Sequence, residues 1–294
     1  MTDLFPDDVQ QDFSGGGTVG VMDAVRMGWR LVMADFWPVW VLGLVAYAIH
    51  MGCGFVGAMP YIGGCLALAA GLFIQAPLNA GMFFAVRRCI DGSPAQVGDV
   101  FQGFRERYWP SVVAILLPTG ISFAFGLLIA GGVFATVAIA GGFDGNASEE
   151  EVFATLGVAL IVLVPLGIIF ALVMLLFLFT QLAVWDHPES GWEAMKDSVR
   201  VVKAHFWSTL GMTLLFGLIA LAAGLLGVLA CCVGVFFTAP LVLVWFNATL
   251  IYLYRSWTGQ PLVQPLMAEE PPAEGIGPLP PTDIEPPPPA PPMP

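Results

Sequence analysis

The stretch Ser208–Trp257 reads STLGMTLLFGLIALAAGLLGVLACCVGVFFTAPLVLVWFNATLIYLYRSW and holds no charged residue before Arg255. A helix that crosses the hydrocarbon core needs about 20 mostly apolar residues, so this block is long enough for two. A turn fits near Cys231–Gly234, which sets spans at about 208–231 and 233–256. Working back towards the N-terminus, four more runs qualify: 36–58, 61–86, 111–142 and 152–185. The runs are continuous and do not alternate with period two, which excludes a β-barrel. The reading is an all-α transmembrane protein of six spans.

Composition agrees. Of 294 residues, 57% are hydrophobic and only 11% charged, where soluble domains carry about a quarter. The mean hydropathy is +0.82. So little charge excludes an ordinary soluble enzyme, and a net charge of −12 excludes a nucleic-acid binder, which needs a basic face. The acidity lies mostly at the ends. Residues 1–18 carry four acids and no base; residues 258–294 carry five acids, no base and 14 of the 24 prolines. Both read as disordered tails around a nearly neutral membrane domain at 19–257. Met1–Gly20 is acidic where a signal peptide would be basic, so the first apolar run is expected to be retained as a span.

The ten Lys and Arg orient the chain. Arg26 and Arg30 precede span one; Arg87, Arg88, Arg105 and Arg107 fall at or between the ends of spans two and three. Lys196, Arg200 and Lys203 lie between spans four and five, and Arg255 closes span six. With six spans all ten fall on one side. The positive-inside rule places that side, and both termini, in the cytoplasm.

An internal repeat organises the spans. Asp23–Trp37 aligns without gaps on Glu193–Trp207, with Ala24, Arg30, Val32, Ala34, Phe36 and Trp37 identical to Ala194, Arg200, Val202, Ala204, Phe206 and Trp207. Phe73–Leu78 matches Phe236–Leu241, and a looser third copy runs from Asp99 to Trp109. The expected architecture is therefore a six-helix bundle of three repeated hairpins, each preceded by an amphipathic cytoplasmic helix and followed by a Gly/Pro turn. The turns are Asp91–Pro94, Asp186–Gly191 and Thr258–Pro261. Trp192, Met195, Val199, Val202 and Phe206 form one apolar stripe; Val97, Val100, Phe101, Phe104 and Tyr108 form another. Such helices are expected to lie in the headgroup layer, with anionic lipid as partner to their cations. Pro77, Pro165 and Pro240 recur at matching places, which predicts a shared kink. The middle spans exceed 30 residues, about 50 Å of helix against a ~30 Å core. They should project, tilt, or kink at Pro118 or Pro165. Ser148 and Glu151 have capping-box spacing at the start of span four.

Catalytic motifs do not stand out: His50, His187 and His205 are scattered, and neither a P-loop nor a nucleophile elbow occurs. No enzymatic activity and no cofactor are expected. A transport site would need polar groups within the spans, and Gln75, Asn79 and Asn247 are the substrate-binding candidates. Helix packing is the favoured role for them, as it is for Ala220 and Gly224. Cys53, Cys65, Cys231 and Cys232 fall near the outer ends of spans; a disulfide there, or a soft-metal site with His50, Met51 and Met59, is weighed against simple apolar packing, which is preferred. Asn146–Ser148 matches a glycosylation sequon. The run Pro286–Pro292 favours polyproline II, either as a spacer or as a ligand for a protein partner.

Gly28-Trp29, Phe36-Trp37, Pro77–Gly81, Asp91–Pro94, Phe101–Phe104, Trp185-Asp186, Gly191–Ala194 and Leu253–Arg255 together resemble uncharacterised bacterial polytopic integral membrane proteins. These families of unknown function are similar to the membrane domain found beside some glycerophosphodiester phosphodiesterases. The resemblance spans about residues 20–260. It implies a bacterial cytoplasmic membrane location and six helices, and it supplies no active site; the phosphodiesterase catalytic domain is absent. The expected function is a non-enzymatic scaffold or accessory protein. The rival is a small-solute or lipid transporter using Gln75, Asn79 and Asn247.

Overall fold

The structure is a computed structural model that describes residues 19–59, 62–139, 149–229 and 233–262, and these form helices joined by turns. Both predicted tails, apart from residues 258–262, and the sequon lie outside the described residues, as do Ser148, Cys231 and Cys232.

Six helical stretches are long and apolar enough to cross a membrane. Helix α1 (Val21–Ala34) leads into α2 (Phe36–Gly57), the first span. Span two is α3 (Gly63–Ala70), one π-helical turn (Gly71–Gln75) and α4 (Ala76–Ile90). A 3-10 turn (Val97–Phe101) and the short α5 (Gln102–Glu106) precede α6 (Tyr108–Ile139), the third span. Span four combines the end of α7 (Glu149–Leu175) with α8 (Thr180–Ala183). Then come α9 (Gly191–Ala204), α10 (Phe206–Leu229) and α11 (Val233–Thr258).

Consecutive spans pack in pairs, and α11 is the hub, touching α10, α1, α2 and α4. Leu250, Ile251, Tyr252, Leu253 and Arg255 near its end are almost fully buried. Helix α7 stands apart: it packs chiefly on α6, and its Ile161, Val162, Ile168 and Ile169 are exposed to the surrounding medium. In hydrocarbon such a surface costs nothing, because lipid tails are as apolar as the side chains.

The three helical entries share one geometry. A single residue, Asp35, Arg107 or His205, breaks the helix with φ of −135°, −129° and −122° before the next helix begins. Its carbonyl accepts from the backbone N–H of Val39, Ser111 or Thr209. Each span then opens on an edge-to-face aromatic pair, Phe36–Trp37, Tyr108–Trp109 and Phe206–Trp207, with centroids 5.3, 5.3 and 5.4 Å apart. Trp37, Trp109 and Trp207 are all exposed, at 66%, 66% and 79%. That position suits the amphipathic indole at a membrane–water boundary.

Several expectations change. Helices α1 and α9 each bury one face on the bundle and leave the other exposed. In α1 the buried face is Ala24, Val25, Met27, Gly28, Leu31 and Val32, and a Cβ on Gly28 would meet Thr249 Oγ1 of α11 at 2.8 Å. In α9 the buried set is Gly191, Ala194, Met195, Ser198 and Val202; Trp192 of the expected stripe is exposed. The middle element is not one helix, because backbone contact takes priority over amphipathicity there. Gly103 seats against the Pro77 carbonyl, Gly81 against the Val100 carbonyl, and a Cβ on either would overlap it. The prolines also behave differently from one another. Pro77 follows the π turn, where the Ala76 N–H reaches back to the Gly71 carbonyl, whereas Pro118, Pro165 and Pro240 sit inside continuous helices. The break in span four comes at Leu176–Phe179, which contains neither Gly nor Pro, rather than at Pro165.

Candidate functional site

The break at Leu176–Phe179 exposes backbone groups that a neighbouring side chain satisfies. Local bonds there are of the tighter i→i−3 kind, such as Leu178 N–H to the Leu175 carbonyl. The Ser198 hydroxyl of α9 donates to the Leu176 carbonyl at 2.8 Å and accepts from the Phe179 N–H at 3.1 Å. Ser198 is fully buried, so one hydroxyl replaces two missing helix partners within the protein interior. Below the break Gln181 is buried as well, its Nε2 donating to the Ser111 carbonyl at 3.3 Å.

At the basic end the turns that follow α4, α8 and α11 converge. Gly92, at φ 89°, ends α4 in a left-handed cap that returns the Ser93 N–H to the Arg88 carbonyl, and Gly259, at φ 71°, does the same for α11 through Gln260 and Arg255. These caps present Asp91 and Gln260 to their neighbours. Arg255, 1% exposed, makes a bidentate pair with Asp91 (Nη1–Oδ1 2.7 Å, Nη2–Oδ2 2.8 Å), and Nη1 also donates to the Leu262 carbonyl at 2.8 Å. Asp186 accepts from Gln260 Nε2 at 2.9 Å and pairs with Arg87 at 3.3 Å. Arg88 pairs with the buried Asp99 at 2.8 Å. Trp185 joins this layer to span two: its Nε1 donates to the Ala80 carbonyl at 2.8 Å, its ring stacks on Phe84, and the Arg107 guanidinium lies 5.5 Å above it. The result is an ion-paired plate that ties all three turns to the last helix.

The residues singled out for transport are not part of the plate. Asn247 is buried and its Nδ2 donates to the Leu243 carbonyl one turn earlier in its own helix, at 2.8 Å. Gln75 closes the π turn and Asn79 follows one turn later, both half-buried. A cavity of about 500 Å³ opens between α2, α10 and α11, bounded by Tyr47, His50, Phe216, Gly217, Ala220 and Phe246 among others. Its wall includes none of the three polar candidates. His50 Nδ1 is bonded to the Ala46 carbonyl at 2.8 Å. The small residues Gly217 and Ala220 leave this space. A Cβ on Gly224 would meet nothing within 4 Å, so the close packing expected at Ala220 and Gly224 is found instead at Gly227 against Val235. Cys53, Cys65 and Cys89 are free thiols, and among the described residues no three His, Cys, Asp or Glu converge on one point.

The arginine–aspartate plate is only half legible in residue order. Asp91, Asp186 and Arg255 stand out there as turn and end residues, but their pairing needs the turns to meet in space. Gln181 carries no signal beyond being polar within an apolar run, and Ser198, lying between Asp197 and Arg200, carries none. A family described as a domain of unknown function (DUF7847) matches residues 54–268. The match begins near the end of α2 and takes in every later span. No curated protein and no solved structure matches the chain.

Proposed function

We propose that this chain, which belongs to the DUF7847 family, is a non-enzymatic scaffold or accessory protein of a bacterial cytoplasmic membrane, with the ion-paired plate and both termini on the cytoplasmic side. The observation that carries this reading is the plate itself. Buried, bidentate Arg255–Asp91 pairing fixes the ends of the hairpins to one another, which suits a rigid platform better than a moving transporter. The shared entry joint and the three Phe/Tyr–Trp pairs support reading the chain as three copies of one hairpin unit. Sorting of all ten cations to that end supports its cytoplasmic placement. Its partners would be anionic headgroups at the cytoplasmic face and a protein that takes up the proline-rich tail.

Two experiments test this. A cysteine placed at Asn146 should label only from outside the cell; labelling only from the cytoplasm overturns the orientation. Deleting residues 261–294 should remove at least one co-purifying protein, and an unchanged set counts against the tail as a docking segment.

The rival reading draws on the cavity between α2, α10 and α11. Its apolar wall suits an acyl chain or another apolar solute, so a lipid transporter is the form of the rival it favours. Filling the cavity with Gly217→Leu and Ala220→Leu, like replacing Gln75, Asn79 and Asn247 together by Leu, should leave solute and lipid flux in reconstituted vesicles unchanged if the scaffold reading holds. A loss of flux would favour the transporter.

A further inference from the structure

We propose that a recess between α1 and α11 is a binding site for the phosphate of an anionic phospholipid. It deepens the proposed headgroup partnership and rests on α1 lying at the membrane boundary. The recess encloses about 290 Å³ and is lined by Val25, Arg26, Trp29 and Arg30 of α1 and by Trp245 of α11. Its walls are fixed before any ligand arrives. The two indoles lie 4.8 Å apart, Trp245 Nε1 is committed to the Val25 carbonyl at 2.8 Å, and Phe216 backs Trp245 from α10. The close approach at Gly28 holds α1 against α11 at this point.

The charge of the recess is unbalanced, and the aligned copy explains why. In α9, Lys196 pairs with Glu193 and Arg200 with Asp197. The equivalents in α1 are Arg26 with Asp23, which do pair at 3.5 Å, and Arg30 with Met27. Met27 is buried and cannot serve, so among the described residues no carboxylate lies within ion-pair distance of Arg30. No acidic side chain lines the recess. A second difference is Trp29, which stands where α9 has Val199 and adds an aromatic wall. At this aligned position one copy pairs its arginine within the helix, and the other leaves its arginine to an external anion.

The occupant is a lipid rather than a free anion because of the surroundings. Met22 and Met33, on the same face of α1 as Arg26, are exposed, and Trp37 follows at the start of the first span. An apolar floor beneath Arg30 accommodates the glycerol and first methylenes of a lipid while its guanidinium takes the phosphate oxygens.

The test uses the full chain purified in a neutral detergent, with phosphatidylglycerol, phosphatidylcholine and inorganic phosphate as probes and native mass spectrometry as the readout. Wild type should hold phosphatidylglycerol more tightly than phosphatidylcholine. Arg30→Gln should lower phosphatidylglycerol affinity about fivefold, the contribution of one cation near an anionic headgroup, without changing phosphatidylcholine binding or thermal stability. Arg200→Gln, whose guanidinium is already paired, should bind like wild type. Equal phosphatidylglycerol affinity in Arg30→Gln and wild type overturns the site, and displacement by an equal concentration of inorganic phosphate overturns its assignment to lipid. Wild type alone supplies a second readout: added salt should weaken phosphatidylglycerol binding selectively, and a salt-independent affinity also overturns the proposal. Binding in detergent does not depend on which face of the cell α1 occupies, so this inference and the orientation tested at Asn146 can fail separately.

Discussion

Arg255 keeps a full charge inside the protein, and it does so because Asp91 meets both guanidinium nitrogens and a backbone carbonyl takes a further bond. Removing one partner strands the other. Arg255→Ala or Asp91→Ala should therefore destabilise the protein by about 3–5 kcal/mol, while the double variant should cost less than the two single losses added together. Thermal unfolding of the purified protein in detergent measures both, and strict additivity would show that the pair is not coupled. Ser198 presents a smaller case of the same principle. Ser198→Ala leaves the Leu176 carbonyl and Phe179 N–H without their bridge and should cost about 1–3 kcal/mol, read from the same melts. A melt indistinguishable from wild type would mean that the break in span four satisfies itself.

Among the elements, α5 and its 3-10 turn depend most on backbone contact. Gly103 and Gly81 let this segment lie directly on α4, so Gly103→Ala must push the two apart and break the register of the whole loop. The expected result is a large loss of folded yield and a melting temperature lowered well beyond that of Gly98→Ala, which meets open space. Equal behaviour of the two variants would contradict the close approach. Here the limits of pattern reading are plain. Val97, Val100, Phe101, Phe104 and Tyr108 have helical spacing, yet periodicity cannot report that glycine has brought a neighbouring backbone within reach. Trp192 belongs to an apolar stripe yet is exposed: a stripe shows which residues avoid water, and it does not say whether protein or lipid covers each one.

Across the molecule, orientation rests on the distribution of charge between the two ends. Glu149, Glu150 and Glu151 begin α7 at the end opposite all ten cations. Changing all three to Lys should weaken the bias and yield molecules of mixed orientation, measured by two-sided labelling of a cysteine at Asn146. A single orientation in the triple variant would show that other features set topology. The number of spans, their approximate limits, the sorting of the cations to one end and the aromatic pairs that open three of the spans are all readable from residue order. Each follows from local physics: burying about 20 apolar residues in hydrocarbon, and placing indoles at its boundary. What tertiary structure alone decided is which polar groups meet. Asp91 and Arg255 are 164 residues apart, Asp186 and Gln260 are 74 apart, and the Ser198 bridge depends on how α9 docks. Polar pairing is directional and short in range, so it is settled only when packing has brought distant turns to the same place.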